Sequence, residues 1–166
     1  EIARGVATAL AEQKFQVLLA DDDWDGISKA RMDGLPVFFG NPTSQHAATH
    51  LDLTGIGRLL AMSRRRELNS LACMQYRREF GRERVYRLRV LAPQDANARA
   101  TFAGSLRSKA LFGGDMTHTR FAELLEAGWR IKSNALTEPF GWPGFLAQHG
   151  ADSVLLFGIE PAGLGA

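Results

Sequence analysis

The stretch Phe15-Gln16-Val17-Leu18-Leu19-Ala20-Asp21-Asp22-Asp23 sets the reading of the whole chain. It is a short apolar strand stopped by three acids. Upstream, Ile2, Val6, Ala9 and Leu10 recur at helical spacing, so a helix runs to about Gln13. Downstream, Trp24 to Asp33 reads as the next helix, with Gly34 as its stop. Pro36 to Phe39 is a strand ended by Gly40-Asn41-Pro42, and Thr43 or Ser44 caps a helix reaching about Leu53. Arg58 to Met62 is a strand, Arg65 to Phe80 a longer helix closed by Gly81, and Arg84 to Val90 a strand alternating enough for an edge position. Helices alternating with strands through short turns imply a parallel sheet with crossover helices, the α/β class.

A doubly wound sheet opens with a strand, whereas this pattern opens with a helix. The expectation is therefore a first strand and connecting loop ahead of Glu1, because a sheet starting on a bare helix leaves an open edge. Beyond Pro93 the regime changes. Asp95 to Phe102 reads as a linking helix and Thr117 to Ala127 as a helix capped by Thr117, with Glu123 and Glu126 outside. Gly128 to Ala135 and Ser153 to Phe157 read as strands and Pro143 to Gln148 as a short helix. Residues 1–92 form the doubly wound unit and residues 93–166 a small α+β appendage.

Bulk composition narrows the function. With 45% apolar and 23% charged residues the chain is ordinary for a soluble globular protein. It has no run near the roughly 20 apolar residues of a membrane helix, and Glu1-Ile2-Ala3-Arg4 lacks a signal-peptide layout. A net charge of +2 with scattered basic residues argues against a nucleic-acid surface. The single cysteine, Cys73, cannot form an internal disulfide; its helical pattern predicts a buried inert thiol and a reducing, cytosolic compartment.

Asp21 carries the chemistry. It follows a strand directly, where a Rossmann unit places the acid that accepts hydrogen bonds from both ribose hydroxyls and repels a 2′-phosphate. That acid lies about 20 residues after a Gly-rich phosphate loop, one helix between; here one helix precedes Asp21, which places such a loop just before Glu1. The alternative is that the three aspartates only stop a strand and cap a helix. A receiver domain of a response regulator also opens on paired aspartates. It needs a phosphorylatable aspartate at the end of a later strand, and the candidate strand ends Leu59-Leu60-Ala61-Met62-Ser63 without a carboxylate.

Taken together, Glu1-Ile-Ala-Arg4, Val17-Leu-Leu-Ala-Asp21, Gly34-Leu-Pro-Val-Phe-Phe-Gly-Asn41, Leu53-Thr-Gly-Ile-Gly-Arg-Leu-Leu-Ala-Met62 and Glu67-Leu-Asn69 resemble the TrkA-N family over about residues 1–91. These are the KTN or RCK domains of potassium channels, potassium uptake systems and cation/proton antiporters. Leu111-Phe-Gly-Gly-Asp115 and Leu156-Phe-Gly-Ile-Glu-Pro161 resemble the segment C-terminal to the domain in antiporters. The resemblance implies a Rossmann-like fold and a regulatory function, with an adenine nucleotide (AMP or ATP, NAD or NADH) as ligand. It further implies the transmembrane antiporter domain of the same polypeptide and a second copy as partners, and a place on the cytoplasmic face of the membrane. Asp21, with Asp22 beside it, would hold the ribose; Asn41 falls where the family often has an acid beside the adenine. Ser63 and Arg64 follow a strand at the carboxyl edge, and Arg64-Arg65-Arg66 near a helix start suits a phosphate, or is a solvated turn.

Other groups are weaker. His46 and His50 share a helix face but have no third ligand, which predicts surface histidines. Met62, Met74, Trp24, Trp129 and Trp142 read as packing residues, Trp142 beside Pro143 alternatively as a docking edge. Phe112-Gly113-Gly114-Asp115 resembles a phosphate turn but reads better as a loop capping the next helix. No catalytic residue is expected. The competing readings are an NAD-dependent dehydrogenase, for which only His118 and His149 could serve in the appendage, and a dimerisation module without ligand.

Overall fold

The computed structural model describes residues 1–89, 108–113, 116–137, 141–150, 153–160 and 163–165. Helix α1 (Ile2–Glu12), strand β1 (Leu19–Asp21), α2 (Trp24–Met32), β2 (Val37–Phe39), α3 (Gln45–His50), β3 (Leu59–Ala61), α4 (Arg66–Phe80) and β4 (Val85–Arg87) follow the expected alternating order. Then come β5 (Lys109–Ala110), α5 (His118–Glu126), α6 (Trp142–His149), and β6 (Gly158–Glu160) antiparallel to β7 (Gly163–Gly165). The expected linking helix at 95–102, and Gly114 and Asp115, lie outside the described residues.

Local chemistry explains the boundaries. Asp23, Ser44 and Thr117 each accept a hydrogen bond from the backbone N–H three residues on, at 3.0, 3.1 and 3.2 Å, and so start α2, α3 and α5. Gly34 leaves α2 at φ 78°, where a side chain is strained. Helix α1 ends differently: Lys14, not a glycine, holds φ 68°.

Strands β1 to β5 make two parallel sheets. In one, β1 pairs with β2, Leu19 opposite Val37 and Asp21 opposite Phe39. In the other, β4 lies between β3 and β5, with Ala61 opposite Arg87 and Arg87 opposite Ala110. The fold is thus Rossmann-like α/β. Alternation along β4 shows the double winding: Val85 packs with Ala72, Cys73 and Tyr76 of α4, while Tyr86 and Leu88 pack with Ile2, Val6 and Leu10 of α1 and with Phe121 of α5. Arg87 is also buried, at 3% exposed; its Nη1 donates to Ser70 Oγ at 2.8 Å and its Nη2 has no partner.

The two sheets are not hydrogen-bonded to each other. Between them lies a cleft of about 500 Å3, walled by Leu19 and Ala20 of β1 and by Leu59 and Leu60 of β3, with Val6 and Leu10 of α1 alongside. This is the place a central strand holds in a doubly wound sheet. Gln16, before β1, donates to the Thr54 carbonyl, before β3, at 2.9 Å; Arg65, after β3, reaches Asp22, after β1. Hence strands on both sides of the cleft run the same way.

Several expectations are corrected. Residues 128–135 form no strand: from Lys132 on they are exposed with no ladder partner, and only Trp129 and Ile131 reach the core. Residues 153–157 form none either. Leu156 and Phe157 instead turn onto the cluster around Phe112, whose ring meets Phe157 edge-on at 5.2 Å, and pairing begins at Gly158. Met74 is 61% exposed, because Ala72, Cys73 and Tyr76 take the inner face of α4 and 74 falls outside it. Trp24 is 56% exposed, yet its ring packs edge-on against Phe39 of β2 at 5.2 Å. Cys73, by contrast, is buried at 3% exposed and burial raises its thiol pKa, as an inert core thiol requires.

Leu10→Ala is expected to cost about 2–5 kcal/mol in urea unfolding, since it opens a void between α1 and both sheets. Lys14→Gly should stabilise by about 0.5–1 kcal/mol in the same measurement, because it relieves a left-handed side-chain conformation.

Candidate functional site

The carboxyl ends of β1, β2 and β3 share one edge, where open α/β sheets take ligands. The cleft is apolar along most of its length, and its polar groups at this edge include Asp21, Ser63 and Asn69. A second cavity of about 290 Å3 lies on the other side of Asp21, against Glu1, Ala3 and Arg4 of the α1 N-terminus and against Asp23 and Asp25. Asp21 therefore stands between the cleft and the start of α1. It is exposed, and its Oδ1 accepts only the Asp23 N–H, at 3.1 Å. Its second carboxylate oxygen accepts no hydrogen bond from the described residues. Helix α1 has no side-chain cap, so the first-turn N–H groups point out beside this acid.

Asp22 is engaged across the cleft. Nη2 of Arg65 donates to both its carboxylate oxygens, at 2.6 and 2.7 Å. The hydrogen bond and charge of Arg65 hold the Asp22 carboxyl below the usual carboxylate range, and Asp22 raises Arg65 in turn. Arg65 thus makes the contact, whereas Arg64, the arginine singled out from the sequence, has no hydrogen bond or ion pair to the described residues.

Ser63 is fixed by Asn69, to which the sequence reading gave no role of its own. Buried Asn69, 4% exposed, accepts from Ser63 N at 2.9 Å and donates to Ser63 O at 2.7 Å, while Ser63 Oγ accepts from Arg65 N at 3.1 Å. The β3–α4 turn is clasped into one shape, and Arg65 is aimed by it. An asparagine on the inner face of a helix is the signal that could have found it, since a buried amide needs partners. Asn41 Oδ1 accepts from the N–H and hydroxyl of Thr43 at 2.9 and 2.8 Å, so its oxygen holds the β2–α3 turn. Behind this turn the Tyr76 hydroxyl donates to the Pro42 carbonyl at 2.7 Å, and burial raises its pKa.

His46 and His50 stack on the surface at 4.2 Å, and among the described residues no three metal-binding side chains converge. His118 is half-buried, and burial lowers its pKa. Trp142 stacks on Phe145 at 5.6 Å. No helix among the described residues is long and apolar enough to cross a membrane.

The TrkA-N domain model matches residues 1–101. The chain belongs to the TrkA-N family. Among solved structures it is similar to the NAD(P)-binding domain of an exopolyphosphatase-related protein from Archaeoglobus fulgidus, at 16% identity and a TM-score of 0.50 over 74% of this chain and 89% of that one. That likeness shows the fold: the TrkA-N chain has the architecture of NAD(P)-binding domains. No curated protein matches it.

Asn69→Ala is expected to cost about 1–3 kcal/mol in urea unfolding, because it orphans both backbone groups of Ser63. The Asp22 carboxyl is lowered in the folded state, so its contribution is complete above the ordinary carboxylate pKa and lost as pH falls through the lowered value. Asp22→Asn should therefore lower the urea midpoint at pH 7 and leave it unchanged at about pH 2.

Proposed function

We propose that this TrkA-N domain is a regulatory sensor of an adenine nucleotide, carried on the cytoplasmic side of a monovalent cation/proton antiporter whose transmembrane part belongs to the same polypeptide. The observation that supports it best is Asp21, an exposed acid with a spare oxygen at the end of a parallel strand, set beside an uncapped helix N-terminus. The ribose hydroxyls donate to that oxygen, which favours AMP, ATP, NAD or NADH over a 2′-phosphorylated dinucleotide. The α1 N-terminus suits a phosphate through its free N–H groups. Arg64 and Arg65 supply the cations on the far side of the cleft. The residues fit a nucleotide in this sense, and no residue is assigned a catalytic role.

Signalling then arises from competition. The Asp22–Arg65 contact ties the two sheets across the cleft, and a phosphate drawn to Arg65 weakens that tie. A ligand changes the balance of two shapes only through its different affinity for each. The second reading, a dimerisation module without ligand, gains from the acids Asp22, Asp23 and Asp25 around Asp21, which oppose a phosphate.

The test is a thermal-shift titration with AMP, ATP, NAD and NADH. A ligand at about 100 times its dissociation constant stabilises the fold by about 2.7 kcal/mol. The expected result is a shift with at least one of the four that vanishes in Asp21→Ala. No shift with any of them would leave the dimerisation module as the better account.

A further inference from the structure

Strand β4 buries a charge that no acid among the described residues neutralises. Arg87 is 3% exposed and lies on the same side of β4 as Val85, beneath α4. The strand register sets it between Ala61 of β3 and Ala110 of β5, whose small side chains leave room for a guanidinium. Its Nη1 donates to a neutral group, Ser70 Oγ, and its Nη2 donates to nothing. Two more buried atoms in this layer lack partners, Nε of Arg77 and Oγ of Ser108. Ser70, Cys73 and Arg77 share one face of α4 at spacings of three and four. Burial raises the Cys73 thiol pKa, and Ser108, Arg87 and Arg77 oppose that rise, which gathers the three around its sulfur. Neither arginine forms an ion pair with a described acid.

A water molecule would satisfy a donor here and still leave the buried positive charge uncompensated, which is the larger cost. We propose that this layer is an anion site that takes one small oxyanion of the phosphate or sulfate kind on Arg87 Nη2, Arg77 Nε and Ser108 Oγ. The donors set the ligand class. Groups on three side chains call for an acceptor with several oxygens, and a guanidinium edge suits such an anion. The way in lies at β5, where Ser108 is half-buried and Ala110 exposed. The site is on the face of the sheet opposite α1. None of Asp21, Asp22, Asn41, Ser63 or Arg65 belongs to it, so it stands whether or not a nucleotide binds in the cleft. An anion held there joins α4 to β4 and β5, and its free concentration then sets how firmly that layer is closed.

Thermal denaturation of the 166-residue chain in inorganic phosphate, against chloride at equal ionic strength, tests the site. The midpoint should rise and saturate, with half of the effect reached at about 1 mM or below. General salting-out by phosphate does not saturate and is common to all variants. Arg87→Met should lose the saturating rise. In chloride it should melt no lower than the native chain, because an apolar side chain of similar length replaces an uncompensated charge. Arg77→Gln and Ser108→Ala, at half-buried positions, should each move the half-effect to about tenfold higher phosphate, and they carry the test if Arg87→Met does not fold. AMP separates a free oxyanion from the phosphate of a nucleotide. The donor atoms are buried beneath α4, where a nucleoside does not fit, so any shift that AMP gives should survive in Arg87→Met. A response without saturation, a saturating response retained by Arg87→Met, or an AMP response that Arg87→Met removes would each overturn the proposal.

Discussion

Everything in this chain depends on α1 serving two sheets at once. Ile2, Val6 and Leu10 enter the cluster built on Tyr86, Leu88, Leu111 and Phe121, while Ala7 and Ala11 enter the cluster with Ala30, Leu35 and Leu19. Among the described residues no backbone ladder joins the two sheets, and burial of this helix, at about 25 cal/mol per Å2 of apolar surface, contributes to holding them together. The small residues face α2 and the large ones face the wider gap towards α5, which is how one helix fits two unequal spaces. Gln16 to Thr54, Arg65 to Asp22 and Tyr76 to Pro42 are polar ties added to that apolar joint. Of these, only the Arg65 contact is one that an anion could contest.

Gln16 shows how tightly the joint is set at the end away from the carboxyl edge. Gly55 stands at φ 77°, and a Cβ there would overlap the Gln16 amide oxygen. Because the end of the Gln16 side chain can move aside, it is the left-handed φ that favours glycine in the loop before β3. The carboxyl edge is more polar, with Asp21, Asp22 and Asn41 all exposed, and it carries the Arg65–Asp22 tie.

The order of elements from α1 to β4 was legible because each strand is a short apolar run stopped by Asp, Gly or Ser, and each helix repeats its apolar residues at three or four. The edge holding Asp21, Asn41, Ser63 and Arg64 was legible for the same reason, since it lies where strands end. Periodicity could not tell Leu71 and Met74 from core, because Leu, Ala, Cys, Met and Tyr crowd a single helix and only tertiary contact selects the inner face. Nor could it separate Arg64 from Arg65; that choice is made by the Asn69 clasp, a contact six residues away. After Pro93 helices α5 and α6 were legible from their apolar spacing and the Thr117 cap, whereas the alternation of Trp129 with Ile131 and the run from Val154 to Phe157 misleadingly resembled strands. There Trp129, Ile131, Leu156 and Phe157 cover the α1–α5 cluster as single side chains without ladders, which no pattern rule detects.

Cys73 gives the protein an internal reporter. Its thiol lies at 3% exposure beneath α4, with Sγ 3.7 Å from the Tyr86 carbonyl, and burial keeps it protonated. Alkylating reagents act on the thiolate, so modification waits until α4 lifts from β4. The labelling rate of an unaltered chain thus measures how often that layer opens, and binding events elsewhere become readable as changes in the rate without any engineered probe.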